Sequence, residues 1–408
     1  MYNSNTFSAH GFSLRNKLLD GLRGYAALAV LVFHSILMLS NYIVTDVLYT
    51  PIYQIKENYF KITKLFLLLF NGHTAVNIFF VLSGMVLFNT LLRTKTEQLP
   101  IITFSLRRII RIYLPLIPCL AAFYLVFNCL HYFLPTIYPH IKFHPFVQNC
   151  LLFKITLHGA SWTLQSEIWA IPLILLTFYA YKQWGAKIVL ILTSLSILII
   201  DNDFRINFHA ANTWIYYFYL GFCCAIFPEE LKNSMKKIGW FLPLFTMIFL
   251  RSFFIHSSIT ANLLQGFSIA ILILYLSSDP EDQFSSFLKL PFSQYLGKIS
   301  FSLYLWNVMV LNLFLPLARF TVVQLHPLEF GLLIAAFVFI ITWPLAHFSE
   351  KFIEQPAIKL GKDLSNLIVA ESTKVIPKLS RAALLLRNSY LFNWRRTSSP
   401  TKDASLLG

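Results

Sequence analysis

The stretch that decides the fold reads Leu19-Asp-Gly-Leu-Arg-Gly-Tyr-Ala-Ala-Leu-Ala-Val-Leu-Val-Phe-His34. It is long and apolar enough to enter a bilayer as a helix, yet it contains Arg23 and His34. Ionisable groups inside a spanning helix cost roughly 2.5–3.5 kcal/mol each, so they are rare and usually functional. The two residues lie about three helical turns apart, so they share one helix face and are separated by about 16 Å along the axis. The stretch therefore predicts a polar path from a cationic mouth at Arg23 to a group at His34 that can exchange a proton.

The composition predicts a membrane protein. Hydrophobic residues make up 57% of the chain and charged residues only 12%, which is about half the charged fraction of a soluble protein. Since only helices or closed barrels satisfy the backbone in lipid, the apolar runs predict an all-α fold, a polytopic membrane helical bundle of about ten transmembrane helices. The spans are expected near residues 21–43, 74–92, 110–134, 163–181, 186–200, 210–228, 238–255, 259–278, 297–317 and 329–349.

The loops predict the orientation and the domain limits. Lys and Arg concentrate in alternate loops and in the two tails, which predicts that both termini, and with them Arg23, are cytoplasmic. We expect an N-terminal cytoplasmic tail over residues 1–18, a transmembrane domain over 19–356 and a basic cytoplasmic tail over 357–408. Pro356 is expected to end the last helix. The apolar segment 146–157 is too short to cross, so it is expected to lie in the interface or to dip into the membrane.

The charge distribution and the cysteine spacing argue against a nucleic-acid-binding protein, a metal-binding protein and a disulfide-bonded protein. The net charge of +15 would suit a nucleic-acid partner, but the basic residues follow the positive-inside distribution, so we expect the lipid bilayer and no nucleic acid as a partner. The five cysteines lie in or beside apolar runs, and their spacing resembles neither a metal site nor a disulfide framework. No metal is therefore expected.

Two ionisable groups are candidates for acid–base chemistry. His34 is suited to remove a proton from a hydroxyl, although a lone histidine in an apolar helix is often only structural. Glu167 lies just inside an apolar span and, if buried, needs a partner, for which a histidine is a good candidate. Trp162 in the same segment could stack on a sugar at the outer face, or could belong to an interfacial aromatic belt.

An arginine cluster is a candidate for donor binding. Arg108 and Arg111 share one face at the start of the third span, with Arg107 beside them. Guanidinium groups bind phosphate oxygens in pairs, so a nucleotide-bearing donor such as a coenzyme A thioester would fit this cationic rim. Ordinary positive-inside anchoring is the alternative reading.

Other polar groups in apolar helices are candidates for substrate contact. Ser83 lies beside Gly84 on a small surface that a backbone or a ligand can approach, and His73 lies near the predicted outer mouth. Tyr304 belongs to a late helix that also carries Asn307 and two serines. Helix packing accounts for each of these equally well. Glu354 could pair with the arginines of the cytoplasmic rim.

Taken together, these motifs resemble those of the acyltransferase-3 family of integral membrane O-acyltransferases. They occur in the family's order from residue 19 to 356. The matching stretches are Leu19-Asp-Gly-Leu-Arg-Gly followed by His34, Phe79-Phe-Val-Leu-Ser-Gly84, Arg108-Ile-Ile-Arg111, Trp162-Thr-Leu followed by Glu167, Leu296-Gly-Lys-Ile-Ser-Phe-Ser-Leu-Tyr-Leu-Trp306, and Glu354-Gln-Pro356.

The resemblance implies a bundle of about ten membrane helices that transfers an acyl group, often acetyl, from cytoplasmic acyl-CoA to a hydroxyl. The acceptors of the family are commonly surface or exported carbohydrates, which for this chain implies a bacterial inner membrane protein. By resemblance His34 is the catalytic histidine, Arg23 its motif partner, and Arg108 and Arg111 the donor-side arginines. Many members have histidine where this chain has Asn307, and an amide cannot act as a base, so position 307 is assigned no proton-transfer role.

Two alternatives remain open from the sequence. One is a flippase or transporter of lipid-linked sugars, which would also place charges near the membrane midplane. The other is an acyltransferase that acts on a lipid, a peptide or a small molecule. The acyl group, the acceptor and the choice between direct transfer and an acyl-enzyme step are not readable from the residues.

Overall fold

The computed structural model describes residues 16–40, 43–93, 100–199, 211–254 and 258–371. The described residues form helices and no strands, which confirms the all-α fold. The α-helices are α1 (Lys17–Leu37), α2 (Asn58–Leu69), α3 (Gly72–Arg93), α4 (Pro100–Phe133), α5 (Phe143–Cys150), α6 (Ser161–Trp184), α7 (Ala186–Ile199), α8 (Ala211–Ile226), α9 (Glu229–Met235), α10 (Phe241–Phe249), α11 (Ile259–Ser277), α12 (Gln283–Lys289), α13 (Pro291–Phe314), α14 (Thr321–Leu325) and α15 (Pro327–Ser349).

The apolar helices coincide with the predicted spans. Within the described ranges, seven helical segments are long and apolar enough to cross a membrane. Three shorter apolar helices, Ala186–Leu198, Trp214–Ile226 and Phe241–Ser252, lie where the remaining three spans were predicted. A straight crossing needs about 20 residues, so these three are the short members of the bundle.

Helix α1 lies at the centre of the bundle, packed against α3, α13 and α15. It runs parallel to α13, since Gln294 donates its Nε2 to the Lys17 carbonyl (2.7 Å) and Gly24, further along α1, faces Gly297, further along α13. A Cβ on Gly24 would lie only 2.6 Å from the Gly297 nitrogen, so the two backbones are in direct contact. We call the end of the bundle where α1 begins the Arg23 end, and the opposite end the His34 end.

The segment between α5 and α6 enters the bundle. His158 donates its Nε2 proton to the Leu305 carbonyl at 2.8 Å, and Leu305 lies midway along α13. Gln165 of α6 holds the same segment by donating to the Leu152 carbonyl at 2.6 Å. Residues 151–160, called here the re-entrant segment, therefore dip into the bundle. As a result α6 begins halfway through the bundle and not at its His34 end.

The prediction that Pro356 ends the last helix is wrong. A π-helical turn, Glu350–Glu354, follows α15, and the chain stays helical to residue 371. Proline lacks an N–H and crowds the preceding turn, and the wide π turn just before it absorbs this mismatch. The expected tail boundary at residue 357 thus falls inside a helix. The outer parts of both predicted tails, residues 1–15 and 372–408, lie outside the described residues.

Candidate active site

A cavity of about 100 Å³ lies at the Arg23 end, between α1, α3, α4, α6 and α13. Its walls are largely apolar and include Phe79, Phe80 and Leu82 of α3. The polar side chains that line it are Arg23, Ser83, Arg108, Arg111, Thr163, Glu167, Ser300 and Tyr304. Six of the ten residues predicted to form the site therefore meet in one cavity.

The charge of this lining is positive. Three arginines, Arg23, Arg108 and Arg111, face one carboxylate, Glu167, which leaves an excess of two positive charges. Arg108 and Arg111 reach the cavity together because residues three apart share a face of α4. Guanidinium groups in a partly apolar cavity attract anions strongly, since they are weakly hydrated and present paired donors.

Glu167 has a different partner from the one predicted. Its Oε2 accepts a hydrogen bond from Arg108 Nη2 at 2.6 Å, and its Oε1 accepts one from Ser83 Oγ at 3.3 Å. The expectation of a histidine partner is therefore wrong. The cause is the re-entrant segment: because α6 begins halfway through the bundle, Glu167 lies towards the Arg23 end, where the arginines are.

Two further carboxylates surround the arginines. Glu354 is buried and accepts a hydrogen bond from Ser302 Oγ at 3.1 Å, and its pairing with the arginines of the rim stays a prediction. Asp20 Oδ1 lies 4.0 Å from Arg23 Nη1, which is the outer limit of an ion pair. Neither of these two acids lines the cavity.

His34 lies further along the same helix face and does not line this cavity. On that face Ala27 and Val30 are fully buried, whereas His34 is exposed. The structure therefore places Arg23 in the cavity and His34 beyond it, and a catalytic role for either residue stays a prediction.

Two of the predicted site residues lie elsewhere. His73 is at the His34 end, where its ring packs edge-on against Phe33 with 5.5 Å between ring centroids. Arg107 does not line the cavity, and a Cβ on Gly361 of the C-terminal helix would lie 3.3 Å from the Arg107 Cα. The structure does not group Arg107 with the other two arginines of α4 around the cavity.

The aromatic candidates occupy the middle of the bundle. Trp162 packs edge-on against Phe80, with 5.7 Å between ring centroids, and its predicted contact with a sugar stays a prediction. Tyr304 lines the cavity, and its hydroxyl donates to the Ala160 carbonyl at 3.1 Å and lies 3.0 Å from Thr163 Oγ1. Tyr304 thus ties α13 to the start of α6.

Sequence reasoning missed His158. Its ring is completely buried, it donates to the Leu305 carbonyl, and its Nδ1 accepts a hydrogen bond from Ser161 Oγ at 2.7 Å. Its only sequence signal is a histidine beside Gly159 just before an apolar helix, which a surface loop would show as well. Within the described ranges no group of three His, Cys, Asp or Glu side chains could hold a metal ion, and the absence of a metal stays a prediction.

A family model described as an acyltransferase domain, that of the acyltransferase-3 family, matches residues 16–347. The match covers most of the chain and contains His34 and every residue that lines the cavity. The chain belongs to the acyltransferase-3 family. Together with its apolar helices, this identifies the protein as a membrane acyltransferase. No curated protein and no solved structure matches the chain.

Proposed function

We propose that this membrane acyltransferase moves an acyl group, in our preferred form acetyl, from cytoplasmic acyl-CoA to a hydroxyl of a surface or exported carbohydrate. The observation that carries the proposal is the cavity at the Arg23 end, where Arg23, Arg108 and Arg111 converge on one apolar-walled space. A coenzyme A thioester combines several phosphates with a long neutral arm, so it matches a cationic mouth joined to an apolar interior.

The three arginines of the cavity have different roles in donor binding. Arg108 already holds Glu167 at 2.6 Å, so its charge is largely neutralised. Arg111 and Arg23 have weaker acidic contacts and are the main phosphate ligands in the proposal. Arg107 does not line the cavity and has no place in the donor site. In this arrangement Glu167 is a positioning residue that fixes the Arg108 guanidinium.

His34 is the proposed general base, about 16 Å further along α1 than Arg23. The imidazole accepts the proton of the acceptor hydroxyl while the hydroxyl oxygen forms a bond to the thioester carbonyl carbon. The carbon–sulfur bond then breaks, and the departing thiolate takes the proton back from the imidazolium, which leaves the ester and free coenzyme A. Neither an oxidant nor a metal enters this balance.

The proposal places the Arg23 end in the cytoplasm and the His34 end towards the outer face of a bacterial inner membrane. It follows the positive-inside distribution of the loops. The donor then enters from the cytoplasm and the carbohydrate from the opposite end, so the two substrates meet near His34.

The test uses a deletion strain complemented with variants, with ester-linked acetyl groups on surface glycans as the readout. His34→Ala is expected to lower the ester content at least about 100-fold, because general-base assistance supplies about 10²–10⁴. The purified variant should still bind acetyl-CoA. His347→Ala, which removes a histidine of another spanning helix, is the matched control and should retain transfer.

A second pair of variants tests the donor site. Arg111→Gln is expected to weaken acetyl-CoA binding about tenfold or more, since hydrogen bonds to charged groups contribute about 1.5–3 kcal/mol. Arg319→Gln removes an arginine at the His34 end and should leave the affinity unchanged. Normal ester content in the His34→Ala strain would remove His34 from the mechanism. An unaltered but mislocalised glycan in the deletion strain would instead support a flippase.

A further inference from the structure

A second and smaller cavity lies at the His34 end, among α2, the start of α3 and the segment after α10. Its polar lining consists of Lys64, Asn71, His73 and Arg251. Within the described part of the chain, the lining contains no Asp or Glu. Two basic side chains from neighbouring helices, Lys64 and His73, and one from a distant part of the sequence, Arg251, thus converge on one space that none of the proposed steps uses.

Lys64 and Arg251 are unusual for an apolar setting. Lys64 is only 3% exposed, and its Nζ donates to the Leu48 carbonyl at 2.6 Å, which uses one of its three protons. Arg251 donates its Nε to Gln265 Oε1 at 2.8 Å and its Nη2 to Asn262 Oδ1. These contacts solvate the two cations but do not neutralise them.

Lys64 and Arg251 line the same small cavity, so their positive charges repel each other. A single lysine in a membrane protein often reaches towards water along its flexible stem. A buried lysine and a half-buried arginine that face the same cavity are not explained in this way, because each is costly without an opposite charge. A bound anion would screen the repulsion between the two cations and supply the missing negative charge.

We infer that this cavity binds an anionic group of the acceptor, a carboxylate or a phosphate, an inference that rests on the proposed function for the identity of the acceptor. The interior volume of about 10 Å³ has room for about one water-sized group, such as one oxygen of a carboxylate or a phosphate, and not for a whole sugar ring. The cavity would therefore take a charged group carried by a larger molecule whose remainder lies outside it.

The position of this anion site fits a reaction at His34. The Phe33 ring lies 5.5 Å from the His34 ring and also 5.5 Å from the ring of His73, which lines the cavity. The Phe33 ring therefore contacts both the proposed base and a residue of the anion site. An acceptor held by its charge in the cavity would present a hydroxyl close to that charge, so the substrate class is an acidic sugar or a sugar phosphate.

The experiment measures thermal unfolding of the purified full chain in nanodiscs of neutral lipid. The probes are potassium glucuronate and glucose 1-phosphate, with glucose and potassium chloride at matched ionic strength as references. We expect one of the two anionic sugars, or both, to raise the Tm in proportion to occupancy, and glucose and chloride to leave it unchanged. Protection by glucuronate alone identifies a carboxylate ligand, and protection by glucose 1-phosphate alone identifies a phosphate ligand.

Single variants test which of the two cavities binds the anionic sugar. Lys64→Met and Arg251→Gln are expected to weaken the protecting interaction at least about tenfold, because each removes charge-assisted hydrogen bonds. Arg111→Gln, which alters only the donor cavity, should retain the rise in Tm that the anionic sugar causes. Acetyl-CoA binding by Lys64→Met should match the wild type. Lys64→Arg, which retains the charge, serves if the methionine variant does not fold.

Two results would overturn the inference. One is an identical Tm of the wild type in anionic sugars and in chloride, which needs no variant at all. The other is protection that survives in Lys64→Met and Arg251→Gln but is lost in Arg111→Gln, since that would assign the anion to the donor cavity. Neither result bears on the role of His34 in acyl transfer, which is tested by ester content.

Discussion

The ion pair between Arg108 and Glu167 can be tested by a double-mutant cycle. Its atoms are 2.6 Å apart, and the side chains are only 9% and 19% exposed, so it behaves as a buried pair. Removing one partner of such a pair costs about 3–5 kcal/mol, because the other charge is left uncompensated, whereas replacing both by apolar groups is often neutral. Since the pair borders an open cavity, we expect about 3 kcal/mol for Glu167→Leu.

The cycle compares Glu167→Leu, Arg108→Met and the double variant. Unfolding of the purified protein by SDS in mixed micelles, followed by circular dichroism, gives the free energies. We expect the double variant to lie within about 1 kcal/mol of the wild type, and the coupling free energy to be at least about 2 kcal/mol. Ser83→Ala, which removes only the 3.3 Å hydrogen bond to Glu167, should cost about 1 kcal/mol.

A coupling free energy below about 0.5 kcal/mol would refute this account, because residues that do not interact are additive within that margin. It would mean that Glu167 and Arg108 contribute independently, and that the positioning role of Glu167 has no energetic basis. A loss of acetyl-CoA binding in Glu167→Leu together with strong coupling would instead support that role.

Three further predictions use the same unfolding measurement. Gly297→Ala should lower the free energy of unfolding by about 1–3 kcal/mol, because its Cβ would lie 2.2 Å from the Asp20 carbonyl oxygen. The control Gly159→Ala adds a Cβ with no atom within 4 Å and should change stability by less than about 0.5 kcal/mol, so equal effects of the two variants would contradict this prediction. Asn307→Leu should leave the free energy of unfolding unchanged or raise it by about 1 kcal/mol, since neither polar atom of this completely buried amide has a partner among the described residues. A large loss of stability would show that the amide is structurally required. His158→Phe should cost about 2–3 kcal/mol through the loss of two buried hydrogen bonds, and an unchanged value would argue against its role in holding the re-entrant segment.

Local features of the sequence determined the fold class, the ten apolar helices and the arginines of the cavity. Apolar runs of sufficient length predict spanning helices because the lipid leaves the backbone few alternatives. The shared face of Arg108 and Arg111 follows from the helical repeat alone, and both side chains line the cavity. Arg23 could be assigned in the same way, from a charge within an apolar helix.

Only the tertiary structure decided which groups meet. Glu167 pairs with Arg108 because the re-entrant segment, held by the Leu305 carbonyl, starts α6 at mid-bundle. Lys64 and Arg251 are far apart in the chain, yet they line one cavity. Helical periodicity fixes where a side chain lies on its own helix, but the depth and rotation of one helix against another depend on contacts between distant segments, and no local pattern encodes those.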